Sequence, residues 1–407
     1  MSLEKLDADV VVVGGGIIGG TFACLLGQAG LKVILLDASV RQVNSLKKVD
    51  ARVFAITRAS EQILKKSGAW RRLHENDIAY FRKMHVWDEN GLGEVQFDSA
   101  SICQSTMGYI ISHQAIVDAL QEKLLDMDNV RCLWSVSAAF IKEQADAMLL
   151  ETEDGLQFRS KLVVAADGSN SKLRSLANIH YQKHDYKQSA LACVVTSEFP
   201  HAEVARQRFL KRGPLAFLPM KDPHQSAIVW SSAPDHIQRL KEMEQSAFHF
   251  ELAEAFANEL GEIKDSTERL VFPLSRAQAD HYIQSRMALI GDSAHTVHPL
   301  AGLGANLGLL DAAALAEVVI DARQRGRDPG RLQVLRRYER QRKGENQGMM
   351  YLMDGFKQLF ENQSQSVQWA RNFGLDMVDS VPFAKRAIMK RAMGLTGDLP
   401  QSARRHL

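Results

Sequence analysis

Cysteine is scarce in this 407-residue chain: Cys24, Cys103, Cys132 and Cys193 are scattered and form no CxxC pair. A disulfide framework is not expected, and the four read as reduced thiols of a cytoplasmic protein. An excess of charge is missing too. Fifty Lys+Arg stand against 48 Asp+Glu, leaving +2, so no global field argues for nucleic acid as a partner. Nor is there a long unbroken apolar run. The stretch Val10 to Leu26 is interrupted by Gly14, Gly15, Gly16, Gly19 and Gly20, has only Lys5 before it with Asp7 and Asp9 close by, and leads to no small-residue cleavage site. It reads as neither a membrane span nor a signal peptide. Repeats, low-complexity tracts and Ser-His-Asp or Cys-His constellations are absent as well.

What is present is ordinary globular composition, 45% apolar and 24% charged, which excludes a disordered or fibrous chain. At about 150 residues per domain the length predicts two or three domains. Val10-Val11-Val12-Val13 is a β-branched strand, Thr21 to Ala29 carries helix formers, Gly30 closes that helix, and Lys32 to Leu36 makes a second strand. Leu162 to Ala165 and Met287 to Ile290 are two further buried strands, each running into an Asp beside a Gly. Residues 190–274 read differently: Ala192 to Thr196, Leu215 to Leu218 and Ala227 to Trp230 are short alternating segments between Pro and Gly turns, an antiparallel pattern. From Ala305 the chain reads as helical. The predicted fold class is therefore α/β: a Rossmann-like parallel-sheet domain, an inserted antiparallel-sheet domain and a C-terminal helical region.

Gly14-Gly15-Gly16-Ile17-Ile18-Gly19 matches G-x-G-x-x-G, after a strand and opening a helix. In that pattern Gly14 permits the tight turn, Gly16 lets a pyrophosphate approach the backbone, and Gly19 allows close helix–sheet packing. Asp37 ends the second strand about 20 residues on, where a carboxylate accepts from an adenosine ribose. The unit alone does not separate NAD from FAD. Asp167-Gly168 and Gly291-Asp292 each place a carboxylate at a strand end, which suits a longer ligand such as the ribityl chain of FAD; as bland turn and cap residues they need no ligand at all.

Asp292, His295 and His298 are spaced i, i+3, i+6 and could form a facial triad for non-haem iron. The run into Pro299 and the Gly302/Gly304/Gly308 loop does not suit three ligands on one continuous helix, so no metal is expected. Ala305 to about Ala322 reads as a long helix opened by Gly302-Leu303-Gly304-Ala305-Asn306. Its N–H groups would stabilise negative charge at the edge of a reduced flavin.

Together these motifs resemble the FAD-dependent aromatic monooxygenases of the para-hydroxybenzoate hydroxylase fold, and more narrowly the ubiquinone-biosynthesis hydroxylases that act on polyprenylated phenols. The resemblance runs through the glycine fingerprint, Asp50-Ala51-Arg52-Val53-Phe54-Ala55-Ile56, Ala165 to Ser171 with Arg174, Gly291 to His295 with Pro299, and Tyr338 to Arg342. The tail segments Arg371 to Leu375 and Ala392 to Leu395 look most like the octaprenylphenol branch, which the resemblance assigns to ring C5. It implies that Arg52 and His113 lie near the flavin, Asp167 near the pyrophosphate and Asp292 on the ribityl chain. Gly302, Gly304, Ala305 and Asn306 would line the flavin, with His295 and Pro299 as catalytic candidates near the ring. It also implies that reduced FAD and O2 form a C4a-hydroperoxide that hydroxylates the phenol, with electrons from NAD(P)H or a partner reductase. Leu303 and Ser293 depart from the family's usual Gln and Ala, and Asp37 from a commoner Glu.

The expected division is FAD-binding for residues 1–75, 105–185 and 275–345, substrate-binding for 76–104 and 186–274, and a helical region for 346–407. A polyprenyl phenol lives in the bilayer, so peripheral contact with the inner face of the cytoplasmic membrane is expected. Leu352, Phe356, Leu359 and Phe360 would make an apolar helix face and Lys385, Arg386, Lys390 and Arg391 a basic patch. Other ubiquinone-biosynthesis proteins and a second copy of the chain are the further partners expected. Two alternatives stand beside this reading: a soluble aromatic acid as substrate, which needs a cationic pocket in the 190–274 sheet, and a non-catalytic FAD-binding scaffold.

Overall fold

The computed structural model describes residues 5–41, 50–89, 93–297, 303–361 and 382–404. Their strands form three sheets. The first is built on five parallel strands: β1 (Ala8–Val13), β2 (Val33–Asp37), β8 (Val130–Trp134), β11 (Gln157–Ala165) and β19 (Met287–Leu289). In space their order is β19-β11-β1-β2-β8. The short β18 (Ile283–Gln284) pairs with β19, and the hairpin β9 (Ala138–Glu143) and β10 (Met148–Thr152) with β11, all antiparallel. Val10, Val11 and Val12 are fully buried, as a β-branched strand covered on both faces must be. The covering helices are α1 (Ile17–Gln28), α2 (Arg58–Ser67), α3 (His113–Leu125) and α7 (Leu303–Gln324).

A small antiparallel sheet, β3 (Val53–Thr57), β7 (Gly108–Ser112) and β4 (Ile78–Phe81), lies between the first sheet and the third. The third is large and mostly antiparallel, in the order β20-β17-β12-β15-β14-β13-β5-β6 with β16 on the edge of β12. Its strands are β5 (Lys83–Asp88), β6 (Glu94–Asp98), β12 (Tyr181–Ser197), β13 (Val204–Leu210), β14 (Gly213–Pro219), β15 (Gln225–Ser232), β16 (Ile263–Ser266), β17 (Leu270–Ala279) and β20 (His295–Thr296). The long β12 and β17 run across the borders expected at 185/186 and 274/275.

Alternation divides this sheet into two faces. Leu191, Cys193, Phe217, Ile228 and Trp230 pack outward onto α5 (Pro234–Glu242) and α6 (Gln245–Ala255). The residues between them, among them Val194, Ala216, Leu218, Ala227 and Val229, face inward. The remaining helices are α4 (Lys172–Leu176), which follows β11, and in the last part of the chain α8 (Leu332–Glu361) and α9 (Pro382–Ala392). Met389 of α9 and Met393 just beyond it are buried with Phe81, Ile102 and Met107. No helix among the described residues is long and apolar enough to cross a membrane.

Candidate functional site

The site gathers at the carboxyl ends of β1, β2, β11 and β19, where β1 has neighbours on both sides and the strand order reverses, the usual place for a ligand in an open parallel sheet. The three fingerprint glycines do different work. Gly14 has φ +106°, and a Cβ there would stand 2.2 Å from the Ala166 carbonyl oxygen; at Gly19 it would stand 1.9 Å from the Gly14 oxygen. At Gly16 it would meet nothing within 4 Å. So Gly14 and Gly19 are needed by the fold, whereas Gly16 borders open space. No side chain caps α1 at Gly16 and no acid stands in its first turn, which leaves the helix N–H groups to an anion.

Asp37 accepts from Gly15 N at 2.5 Å and Ser39 N at 2.7 Å while staying half-exposed. Asp167 is more fully engaged, accepting from Ser171 Oγ (2.5 Å), Leu173 N (3.2 Å) and Ser293 Oγ (3.1 Å). Its carboxylate thus ties the turn after β11 to the start of α4 and to the turn after β19. Arg174 completes that tie, donating to the carbonyls of Ser293 and Ser169 at 2.9 and 2.8 Å and lying over the Tyr181 ring.

Asp292 sits in the second turn and is solvent-accessible, with no hydrogen-bond partner for its carboxylate among the described residues. The surrounding protein nevertheless desolvates it, and that pushes its carboxyl above the usual range; nearby His295 opposes the rise and Asp311 adds to it. A carboxylate in this turn, accessible and without a partner among the described residues, is what a ribityl hydroxyl would satisfy. His113 opens α3, its N–H donating to the Arg52 carbonyl at 2.8 Å, and its Nδ1 is buried without a partner. Burial, with the Arg52 charge, holds its imidazole below the usual value. The Arg52 side chain is 57% exposed beside Asp50 at 3.4 Å. The open space at Gly16, the uncapped α1 and the unpartnered Asp292 and His113 atoms fit an FAD laid along these strand ends.

Other expected site residues are occupied by the protein itself. Asn306 in the first turn of α7 donates to Ala55 O (2.7 Å) and accepts from Thr57 N (2.9 Å), clamping α7 to β3. Gly304 and Ala305 stand in the same turn, half-buried. His295 is 1% exposed and its Nε2 faces Asp311 at 2.5 Å. That bond turns it toward α7 rather than toward a shared metal with Asp292. Pro299, Gly302 and His298 lie outside the described residues, as do the Leu303 side chain and Arg371 to Leu375. No group of three His, Cys, Asp or Glu among the described residues is arranged to hold a metal ion.

Sequence reasoning missed Asp311, Arg342 and Asn346, which surround His295. The available signal was an acid in the apolar run Leu307 to Ala316. It also missed where the arginines of the large sheet point. Arg208 donates to Ala255 O at 2.9 Å and Arg269 to Leu240 O at 2.8 Å, both on the outer side with α5 and α6; Arg206 donates to His201 O at 2.7 Å. Arg276 is paired with Asp354 of α8, which also accepts from Tyr186 at 2.5 Å. In the tail, Tyr351, Leu352 and Phe383 are 70, 51 and 81% exposed. Arg391 is paired with Glu345 at 2.6 Å, and the Lys385 ammonium lies 5.9 Å from the centre of the Phe97 ring. The side chains of Phe356, Leu359 and Phe360 are outside those described.

Residues 7–351 match the family described as FAD binding domain. Over 97% of its length the chain is 33% identical to the whole of the 3-demethoxyubiquinol 3-hydroxylase of Escherichia coli (strain K12). It is 32% identical to the ubiquinone hydroxylase UbiL of Rhodospirillum rubrum, covering 97% of this chain and 91% of that protein. It is 31% identical to the mitochondrial ubiquinone biosynthesis monooxygenase COQ6 of Homo sapiens, covering 94% and 91%. The crystal structure of p-nitrophenol 4-monooxygenase PnpA from Pseudomonas putida DLL-E4 superposes with a TM-score of 0.78 at 20% identity over 97% of this chain and 100% of that one, a likeness of fold.

Proposed function

The chain belongs to the FAD-binding-domain family and is an FAD-dependent monooxygenase, and from that premise we propose that it hydroxylates a polyprenylated phenol in ubiquinone biosynthesis. The observation that carries the substrate class is the inward face of the large sheet. Val194, Ala216, Leu218, Ala227 and Val229 make it apolar, while Arg206 and Arg208 turn away and Arg276 is held by Asp354. A soluble aromatic acid needs a cation to meet its carboxylate; a prenylated ring needs dry apolar surface. This face favours the second.

Bound FAD, once reduced, supplies the activated oxygen transferred to the ring. The protein's part is to hold and to exclude. The free N–H groups of α1 would hold the pyrophosphate, Asp37 and Asp292 would accept from ribose and ribityl hydroxyls, and the first turn of α7 would offer N–H groups to negative charge on the reduced ring. The apolar sheet face keeps water from the reacting ring. NAD(P)H or a partner reductase is the proposed electron source and O2 the co-substrate. Tyr351, Leu352 and Phe383, with exposed Arg386 and Lys390 nearby, support peripheral contact with the membrane in which the substrate lies and with other proteins of the pathway.

Ring C5 is the position we propose, on the tail segment Ala392 to Leu395. Mass spectrometry of quinone lipids from cells lacking this gene tests both claims. A prenylated phenol accumulating one hydroxylation short at C5 is expected. Accumulation of a demethoxyubiquinol would move the reaction to the step named for the E. coli relative, and unchanged ubiquinone would count against the substrate class.

A further inference from the structure

Asp311 is fully buried in α7, within an apolar run where an ionised carboxylate is expensive unless paired. Both of its oxygens are in use. Oδ2 accepts from His295 Nε2 at 2.5 Å and from Gly291 N at 3.2 Å. Oδ1 accepts from Arg342 Nε at 2.9 Å and Asn346 Nδ2 at 3.1 Å, while Arg342 Nη2 donates to Asn346 Oδ1 at 2.9 Å. Arg342, Asn346 and His295 are buried with it.

A buried ion pair is a weak way to gain stability, since matched apolar side chains usually do as well. What this one does is fix geometry. Gly291 has φ +60° and precedes Asp292, whose carboxylate is open to the cleft. Gly308, one turn before Asp311 on the same face of α7, approaches so closely that a Cβ there would stand 3.3 Å from the Gly291 Cα and 2.7 Å from Ile18 Cδ1. The turn is therefore squeezed between α1 and α7, and Asp311 grips its backbone at one end and His295 at the other.

We infer that Asp311 is a positioning residue for the cofactor turn, holding Gly291 and His295 so that Asp292 is presented to the FAD ribityl chain, with Arg342 of α8 as its counter-charge. The inference rests on FAD occupying these strand ends. Arg342 and Asn346 make α8 part of the same device, which latches α8 to α7 and the turn after β19.

The test separates positioning from charge balance. In D311L/R342M the two charges leave together, so no charge remains buried alone. The purified holoprotein should melt near the wild-type temperature yet release FAD, followed by flavin fluorescence on dilution, at least about tenfold faster, the scale on which loss of an outer-shell partner loosens a bound group. D311E is the second variant: it keeps the charge and Arg342 but displaces the carboxylate from Gly291 N, and faster FAD release from a folded protein is again expected. Wild-type release rates in either folded variant would overturn the inference and leave Asp311 as the counter-ion of Arg342 alone. Failure of both to fold would overturn it too, by making Asp311 a determinant of the fold. Wild-type protein that purifies without flavin would instead count against FAD at these strand ends.

Discussion

Ser293 Oγ donates to Asp167 Oδ1 at 3.1 Å, joining the turns that follow β11 and β19 across 126 residues of sequence. Ser293 is the residue at which the chain departs from the alanine usual in the family it resembles, and here the hydroxyl has a partner. Asp167 keeps two other donors, Ser171 Oγ and Leu173 N. Ser293→Ala should therefore cost only about 1 kcal/mol, the net worth of one hydrogen bond, and should leave FAD content unchanged. Chemical denaturation and flavin absorbance of the purified protein check both.

The glycines separate fold from cofactor. Gly16→Val adds atoms where nothing lies within 4 Å, so the protein should fold with an unchanged far-UV spectrum and purify without flavin. Gly19→Ala should fail earlier, because its Cβ would collide with the Gly14 carbonyl, and should lose more than about 3 kcal/mol or not fold. Normal flavin content in Gly16→Val would remove the N-terminal site.

Asp292→Ala removes an accessible carboxylate with no hydrogen-bond partner among the described residues, so the melting temperature should hold while FAD is lost from the purified protein. Metal analysis of the same samples decides the iron alternative: bound iron in the wild type that the variant loses, with flavin kept, would support it.

Leu218→Glu places a charge on the apolar inward face. FAD content should stay as in the wild type, while kcat/KM for a prenylated phenol falls at least about tenfold, or ~1.4 kcal/mol. Undiminished turnover would point the substrate elsewhere.

His201 accepts from Glu203 N at its Nδ1 and faces the carbonyls of Met220 and Asp222 with Nε2, partners that suit the neutral ring. Burial holds its imidazole below the ordinary value of 6.5. The folded protein then takes up the proton less readily than the unfolded chain, so stability should fall as pH drops through 6.5 and below. His201→Gln should make the decline of melting temperature between pH 6.5 and 5 shallower.

The cofactor half of the fold was legible because its signals are local. Four valines, a glycine turn and an acid at the end of the next strand follow one another within 30 residues, and each constrains the backbone directly. The antiparallel sheet was legible from alternation, though not its edges: β12 and β17 extend past the expected borders because pairing with each other continues where composition changes. What escaped were partnerships between distant residues. Nothing in the spacing of Asp311 and Arg342 announces an ion pair, and the period of a strand shows that Arg206 and Arg208 share a face but not that α6 covers it. The resemblance places Asn306 at the cofactor edge, and nothing in its spacing announces that its amide also bonds the backbone of β3.

The two residues of β20 continue directly from the Gly291–Asp292 turn, and they pair with the end of β17: His295 with Gln278 and Thr296 with Ala277. The turn proposed for the cofactor thus leads straight into the edge strand of the large sheet. On the proposed function, grafting the large sheet of a relative into this chain should disturb flavin binding unless the end of β17 is kept. On the same reading, changes are best absorbed at the far edge, on β5 and β6, six and seven strands from β20.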